Sequence, residues 1–312
     1  MNRFEYRAAH TVQEAIGLLQ QEDGTRVVAG ATDVLIRWRQ GLLKPPAVLS
    51  IKRIPGLDQI SYSPESGLSL GTLVNVRTLE RHPLVQAHYP ALAQAASAFA
   101  GVQIRHLATV GGNVCNASPA GDSLPALLAY GAECRLLGPA GERRLPLAQF
   151  LLGPGRTALQ PAELLLSLHL PPALPHSGGL YIKHSPRSTM DIATVGVAAM
   201  VALTAPDGDC QEVNITLGAV APTVIRATAA EEVLRGQPLT AERLQQAAHA
   251  AAQAASPVDD IRGSAAHRRQ VIAPLVQRTL HYATLMARGT SLPFATQRRL
   301  AVEALFEVRS AS

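Results

Sequence analysis

Two short turns hold the residue types best suited to chemistry in this chain. The first, Ala29-Gly30-Ala31-Thr32-Asp33, falls between a β-branched pair and a run with helical spacing. Small residues there let the backbone approach a ligand, and the first amides of the following helix have no partner within it. A phosphate at such a position gains roughly 0.3–1 kcal/mol per charge from the helix dipole. The same residues also suit a plain turn, with Gly30 making the bend and Thr32 or Asp33 capping the helix. The second turn lies in "ATVGGNVCNASPAGDSLPALLAYGAE", Ala108 to Glu133, where Thr109 and the amides of Gly111, Gly112 and Asn113 can be bared, with Asn116 and Asp122 adding side-chain hydrogen bonds. Asp122 equally fits the N-cap of a helix beginning at Ser123, with Pro125 tolerated in its first turn. A capping carboxylate can still face a ligand.

The usual catalytic constellations are absent. The sequence has no HExxH or CxxC, no P-loop ending and no GxGxxG spacing. Its ten His are dispersed, and surface or hydrogen-bonded roles suit them better than metal ligation. Cys115, Cys134 and Cys210 are too few and too far apart for an iron–sulfur loop or a zinc site of known spacing. Cys115 reads as a small buried residue, because no cationic helper lies nearby in sequence. Any reaction involving this chain therefore draws its reactivity from a bound cofactor.

At 312 residues, with 47% apolar and 16% charged residues, the chain is long enough for about two ordered domains. The net charge of +5 is spread out, and the short runs Arg143-Arg144, His267-Arg268-Arg269 and Arg298-Arg299 lack aromatic interleaving, which favours a solvated basic surface over nucleic-acid binding. The first twenty-one residues contain no unbroken apolar stretch, and no later run approaches the ~20 residues needed to span a bilayer. The expectation is a cytoplasmic protein that uses neither membrane nor nucleic acid.

Elements to position the two turns can be read along the chain. Thr11-Val12-Gln13-Glu14 is a capping box that starts a helix over 12–21. "TRVVAGATDVLIRWRQG" reads as strand, tight loop and helix. "AVLSI", "QISYS" and "LSLGTLV" are strands, the last two joined by "SPESG". "NVRTLERHPLV", "HYPALAQAASAFAG" and "SLPALLAYG" read as helices, "AECRLLGPAGERRLPL" as a hairpin and "ELLLSLHLP" as a buried strand. Pro and Gly concentrate in 171–179, which sets a boundary near 175. Beyond it, three strands forming an antiparallel sheet precede Ala-rich helices over 226–235, 240–255 and 266–287. The class is α+β. A tail over 289–312 forms one more short amphipathic helix or stays mobile.

The two turns, in this order and about eighty residues apart, resemble the two FAD-binding segments of the medium, flavin-carrying subunit of molybdenum hydroxylases, the xanthine dehydrogenase branch in particular. "VVAGATDVLI", "AFAGVQIRHLATVGGN", the quoted stretch, "LLGPGRTALQPAELLLSLHLPP" and "YIKHSPRSTMDIATVGVAA" carry the resemblance, over about residues 3 to 285. It implies an FAD-binding domain of the vanillyl-alcohol-oxidase or PCMH type over 1–175, with subdomains of about 1–55 and 56–175. A smaller flavoprotein domain of the CO dehydrogenase type, with a three-stranded sheet and helices, would follow over 176–288.

Carried over by motif, the resemblance implies that Val27, Val28, Ala29, Gly30, Ala31, Thr32, Asp33 and Val34 surround the FAD pyrophosphate, and that Phe99 lies near the isoalloxazine. It implies that Thr109, Val110, Gly111, Gly112, Asn113, Asn116 and Asp122 complete the cleft. Leu165 would meet the flavin through its backbone region and Lys183 would reach over from the second domain. Many members have Gly where this chain has Ala31; a positive φ at that residue would strain Ala by about 1 kcal/mol or more.

The resemblance further implies partners: a large molybdopterin subunit that hydroxylates the substrate, and a small subunit whose 2Fe–2S clusters relay electrons to FAD, which passes them to NAD+ or another acceptor. A dimer of heterotrimers is the expected assembly, and "SPRSTMDIATVG" leans the substrate toward purines. Aldehydes, carbon monoxide, nicotinate or an aromatic acyl-CoA are alternatives, the last disfavoured by the lack of a Cys-rich insertion. A flavin-free structural scaffold is a further reading, as is a free-standing flavin oxidoreductase, for which no catalytic acid can be identified.

Overall fold

A computed structural model describes residues 4–187 and 190–297. Its first layer is a small parallel sheet. Strand β1 (Glu5–Ala8) leads through helix α1 (Val12–Gln21) to β2 (Arg26–Val28), and α2 (Val34–Arg39) leads on to β3 (Ala47–Ser50), which pairs between β1 and β2. The predicted capping box forms at α1: the Thr11 hydroxyl accepts from the Glu14 amide at 3.0 Å, and the Glu14 carboxylate accepts from the His10 amide at 2.7 Å. Strand β1 carries no alternation strong enough to mark it in the sequence and exists by pairing with β3.

The second layer begins with the hairpin β4 (Ile60–Ser63) and β5 (Gly67–Gly71), followed by α3 (Val76–Arg81), α4 (Pro83–His88), α5 (Pro90–Ser97), α6 (Val102–Leu107), α7 (Val110–Asn116) and α8 (Ser123–Ala129). The hairpin β6 (Glu133–Gly138) and β7 (Gly141–Pro146) comes next, then the short α9 (Leu147–Phe150), β8 (Leu151–Gly153) and β9 (Arg156–Thr157), and finally β10 (Leu164–Leu170). A five-stranded sheet results, in the order β4-β5-β10-β6-β7 and antiparallel throughout. Every residue of α5 and of α8 is buried, so these helices act as a filled core layer.

Segment 171–176 leads into β11 (Ser177–His184), β12 (Val195–Leu203), β13 (Cys210–Gly218) and β14 (Ile225–Arg226), then α10 (Thr228–Leu234), α11 (Ala241–Gln253) and α12 (Ala265–Ala287). One face of this sheet packs with α10, α11 and α12. The other turns Tyr181, Ala198, Met200 and Ala202 into the same core as α5 and α8, so apolar packing is continuous across the connection. Residues 294–297 are helical; Phe294 packs on that shared core and the Gln94 side chain donates to the Gln297 carbonyl. The rest of the expected tail helix, with Arg298-Arg299, lies outside the described residues.

Three expectations need correction. The sheet after the boundary has four strands: β14 pairs antiparallel with the end of β13, where Thr216 faces Arg226 and Leu217 faces Ile225. Two residues are too short to show as a strand in sequence; this one is held by Glu231, whose buried carboxylate accepts from the Ile215 amide at 2.9 Å and from Arg226 at 2.7 Å. The glycine-rich turn at 110–116 is a helix, α7, because the Thr109 hydroxyl caps it by accepting from the Gly112 amide at 3.1 Å. Asp122 gives no side-chain cap to α8; its carboxylate is engaged by Tyr181 and Lys183 instead.

Glu231→Leu removes a buried acceptor and leaves Arg226 without its counter-ion. The expected cost is about 3 kcal/mol, read as a lower urea midpoint at unchanged slope, with hydrogen exchange accelerated at 225–226.

Candidate functional site

The loop 29–33 leaves the C-terminal end of β2 and enters α2 with its backbone uncommitted. Among the described residues, the amides of Gly30, Ala31, Thr32, Asp33 and Val34 donate to no group of the chain, and no side chain caps α2. Buried or half-buried amides normally find a partner. Five consecutive unpaired donors facing an open cleft therefore suit an anion that supplies several acceptor oxygens.

Gly30 explains why the two turns meet. A Cβ there would lie 1.9 Å from the Leu107 carbonyl oxygen, so any side chain would push the loop off the α6–α7 connection. Next to it Ala31 adopts φ 58°, the left-handed region that L-residues avoid. Conformational strain is thus stored at the tip of the loop.

Between this loop and the start of α7 lies an open cleft. Of the residues singled out in the sequence, Val27, Val28, Ala29, Gly30, Ala31, Thr32, Asp33, Val34, Phe99, Thr109, Gly112, Asn113 and Asn116 line it. The other five do not. Val110 and Gly111 form the buried start of α7, where a Gly111 Cβ would stand 1.8 Å from the Thr72 hydroxyl oxygen and the Gly111 amide donates to the Thr72 carbonyl at 3.0 Å. Leu165 is buried in β10, opposite Leu136 of β6.

Asp122 and Lys183 form a buried ion pair of 2.9 Å behind the cleft; the second carboxylate oxygen accepts from the Tyr181 hydroxyl at 2.9 Å. Burial pushes the Asp122 carboxyl up and Lys183 pulls it back, while burial beside that carboxylate drives the Tyr181 phenol well above its ordinary value.

The expectation that the second turn bares its amides is corrected: Gly111 donates to Thr72, Gly112 to the Thr109 hydroxyl and Asn113 to the Thr109 carbonyl. Those glycines serve close packing and a helix cap, so α7 presents side chains to the cleft. Asn113 is fixed there by the Ser123 hydroxyl, which donates to its Oδ1 at 2.7 Å. Sequence reasoning missed Arg26, Arg37, Leu43, Ala108, Cys115 and Gly155, which also line the cleft. Arg37, one helical turn after Asp33, carried a usable signal; Leu43 and Gly155 arrive from distant segments and carried none. Cys115 faces the cleft, yet burial pushes its thiol up to about 12, which suits an inert residue. Among the described residues, no group of three His, Cys, Asp or Glu is placed to hold a metal, and no helix is long and apolar enough to cross a membrane.

The chemistry of this donor set fits FAD: unpaired amides and two Arg for a diphosphate, an aromatic ring and Asn side chains for a heterocycle. Ala31→Gly relieves a left-handed cost of about 1–2 kcal/mol but raises unfolded-state entropy by about 0.4–1 kcal/mol. The net expectation is a gain of up to ~1 kcal/mol in urea unfolding of the ligand-free chain.

Two family models match in tandem: the FAD binding domain in molybdopterin dehydrogenase over residues 2–173, and the CO dehydrogenase flavoprotein C-terminal domain over residues 181–283. The xanthine dehydrogenase FAD-binding subunit of Escherichia coli O157:H7 is 33% identical over 285 residues, covering 91% of this chain and 97% of the relative. The carbon monoxide dehydrogenase medium chain of Hydrogenophaga pseudoflava is 33% identical over 282 residues, covering 90% and 97%. Among solved structures, carbon monoxide dehydrogenase from Hydrogenophaga pseudoflava superposes with a TM-score of 0.87 at 34% identity, over 92% of this chain and 98% of that one. Quinoline 2-oxidoreductase from Pseudomonas putida 86 does so at 0.85 and 26%, over 92% and 99%. The tandem domains, the α+β fold and the paired loops make this chain a member of the family of FAD-binding medium subunits of molybdenum hydroxylases, an oxidoreductase flavoprotein subunit.

Proposed function

We propose that this chain is the electron-exit module of a xanthine dehydrogenase-type hydroxylase, holding FAD in the cleft between loop 29–33 and α7. In this reading it takes electrons from 2Fe–2S clusters of a small partner subunit and passes them to NAD+ or another acceptor, while a large molybdopterin subunit does the hydroxylation. The observation that carries it is the run of five unpaired amides, Gly30 to Val34, opposite Phe99 across one cleft. FAD, when bound, supplies the redox chemistry, accepting and releasing electrons at its ring.

The rest is the work of the chain. The 30–34 amides hold the diphosphate, with Arg26 and Arg37 adding positive charge. Phe99 offers an apolar face to the ring and keeps water from it. Asn113 and Asn116 give donors and acceptors that orient bound FAD, and Thr109 and Gly112 set the start of α7 from which both project. Val110, Gly111, Asp122, Leu165 and Lys183 support this wall from behind. The flavin domain spans 1–175 and the following domain 176–288 in this reading, with Phe294 and Gln297 returning to the first.

Relatives named as FAD-binding subunits or medium chains of xanthine, carbon monoxide and nicotinate dehydrogenases match to nearly the same degree, at 33%, 33% and 32% identity. That evenness supports a division in which the substrate is chosen on the large partner. The stretch "SPRSTMDIATVG" leans this reading toward a purine substrate.

Co-purification with both partners is the test. The expected complex shows visible flavin absorbance, releases one FAD per copy of this chain on denaturation, contains iron and molybdenum, and is bleached by xanthine. A full complex without FAD would defeat the proposal, and bleaching by an aldehyde or nicotinate but not xanthine would reassign the substrate.

A further inference from the structure

Residues 97–100 make the corner between α5 and α6 that carries Phe99 to the cleft, and its backbone is held in an unusual way. The carbonyls of Ser97, Phe99 and Ala100 all accept from Arg105 Nη1, at 3.0, 2.9 and 2.8 Å, and the carbonyl between them, Ala98, accepts from Lys183 Nζ at 3.0 Å. Four consecutive carbonyls thus point inward at two cations. Both cations are buried and each has its own counter-ion: Arg105 Nε lies 3.0 Å from Glu80, and Lys183 Nζ lies 2.9 Å from Asp122. The corner is strained, since Ala100 sits at φ 39°.

Ordinary closure of a helix end does not require this. Terminal carbonyls are satisfied by water or by one left-handed residue, whereas here two desolvated charges are committed to one four-residue corner. Desolvating charge is costly unless pairing is complete. The return is a backbone that cannot rotate, so that all four carbonyls face the interior while the Phe99 side chain lines the cleft.

We infer that Arg105 and Lys183 are positioning residues that act through Phe99 to set the surface on which the flavin ring lies, an inference that rests on the flavin reading above. Lys183 comes from β11, so the second domain contributes to the flavin site through one ammonium group aimed at the Ala98 carbonyl, with Asp122 and Tyr181 as its anchor.

A double-mutant cycle tests this in the full chain assembled with its partners. Lys183→Met combined with Asp122→Asn removes both buried charges together; Arg105→Lys keeps the charge beside Glu80 but loses the planar fork, and serves if the first variant fails to fold. Each is made with Phe99 and with Phe99→Ala. The expected result is a rise in the FAD Kd of at least about tenfold and a changed visible absorption band with Phe99 present. In the Phe99→Ala background the same changes should raise Kd less than about threefold, the non-additivity of residues acting as one unit. In the flavin-free chain, amide exchange over 97–101 should accelerate at least about tenfold. Equal effects in both backgrounds, or unaltered affinity, spectrum and exchange in a folded variant, would overturn the inference. A wild-type complex without FAD would overturn the flavin reading and this inference with it, whereas wild type that binds FAD beside indifferent variants would overturn this inference alone.

Discussion

Everything at the candidate site depends on one close approach of two backbones, loop 29–33 lying directly on the Leu107 carbonyl at Gly30. No side chain fits in that contact, with 1.9 Å between a notional Cβ and the oxygen. The contact brings a loop of the parallel sheet β1-β3-β2 onto the helical layer of the five-stranded sheet, and the cleft is the space left beside it. Because the loop spends its contact surface on α6–α7, its amides remain free for a ligand. The strain at Ala31 and the lack of any cap on α2 are consistent with a segment completed by something other than the chain itself.

The opposite wall is built on the contrary principle. Where loop 29–33 leaves donors open, the glycine amides of α7 and the carbonyls of the 97–100 corner are taken up. Thr72 and Thr109 take up the glycine amides, Ser123 fixes Asn113, and buried cations take up the corner carbonyls. One wall offers charge-stabilising backbone and the other a fixed surface of side chains. That asymmetry matches a ligand with a phosphate end and a ring end. The second domain is tied into the arrangement by the Asp122–Lys183–Tyr181 cluster and by the apolar core that β11 and β12 share with α5 and α8.

Much of this was legible in residue order. The capping box at Thr11, the hairpin at "SPESG", the buried β10 and the long helices after the boundary announce themselves by periodicity and turn chemistry. So does the β2–loop–α2 unit, because a β-branched pair, small residues and a helical run stand in direct succession. What was not legible depends on partners far off in sequence. β1 carries no clear alternation and exists through β3, and β14 is too short to have a pattern and exists through Glu231. Arg105 looked like any helix cation until the fold turned it inward.

The sequence by itself determined the α+β class, the order of most elements and the glycine turn between β2 and α2, because each of these follows from local propensity and spacing. Only the tertiary structure decided what the glycines do. Gly30 serves a contact with Leu107 and Gly111 a contact with Thr72, while the free amides belong to the first turn alone. It also decided that Asp122 pairs with Lys183 rather than capping α8. Both outcomes have the same physical cause: a donor or a charge is committed by whatever lies within hydrogen-bond reach in three dimensions, and those neighbours stand far off along the chain, as Lys183 does from Asp122 at 61 residues.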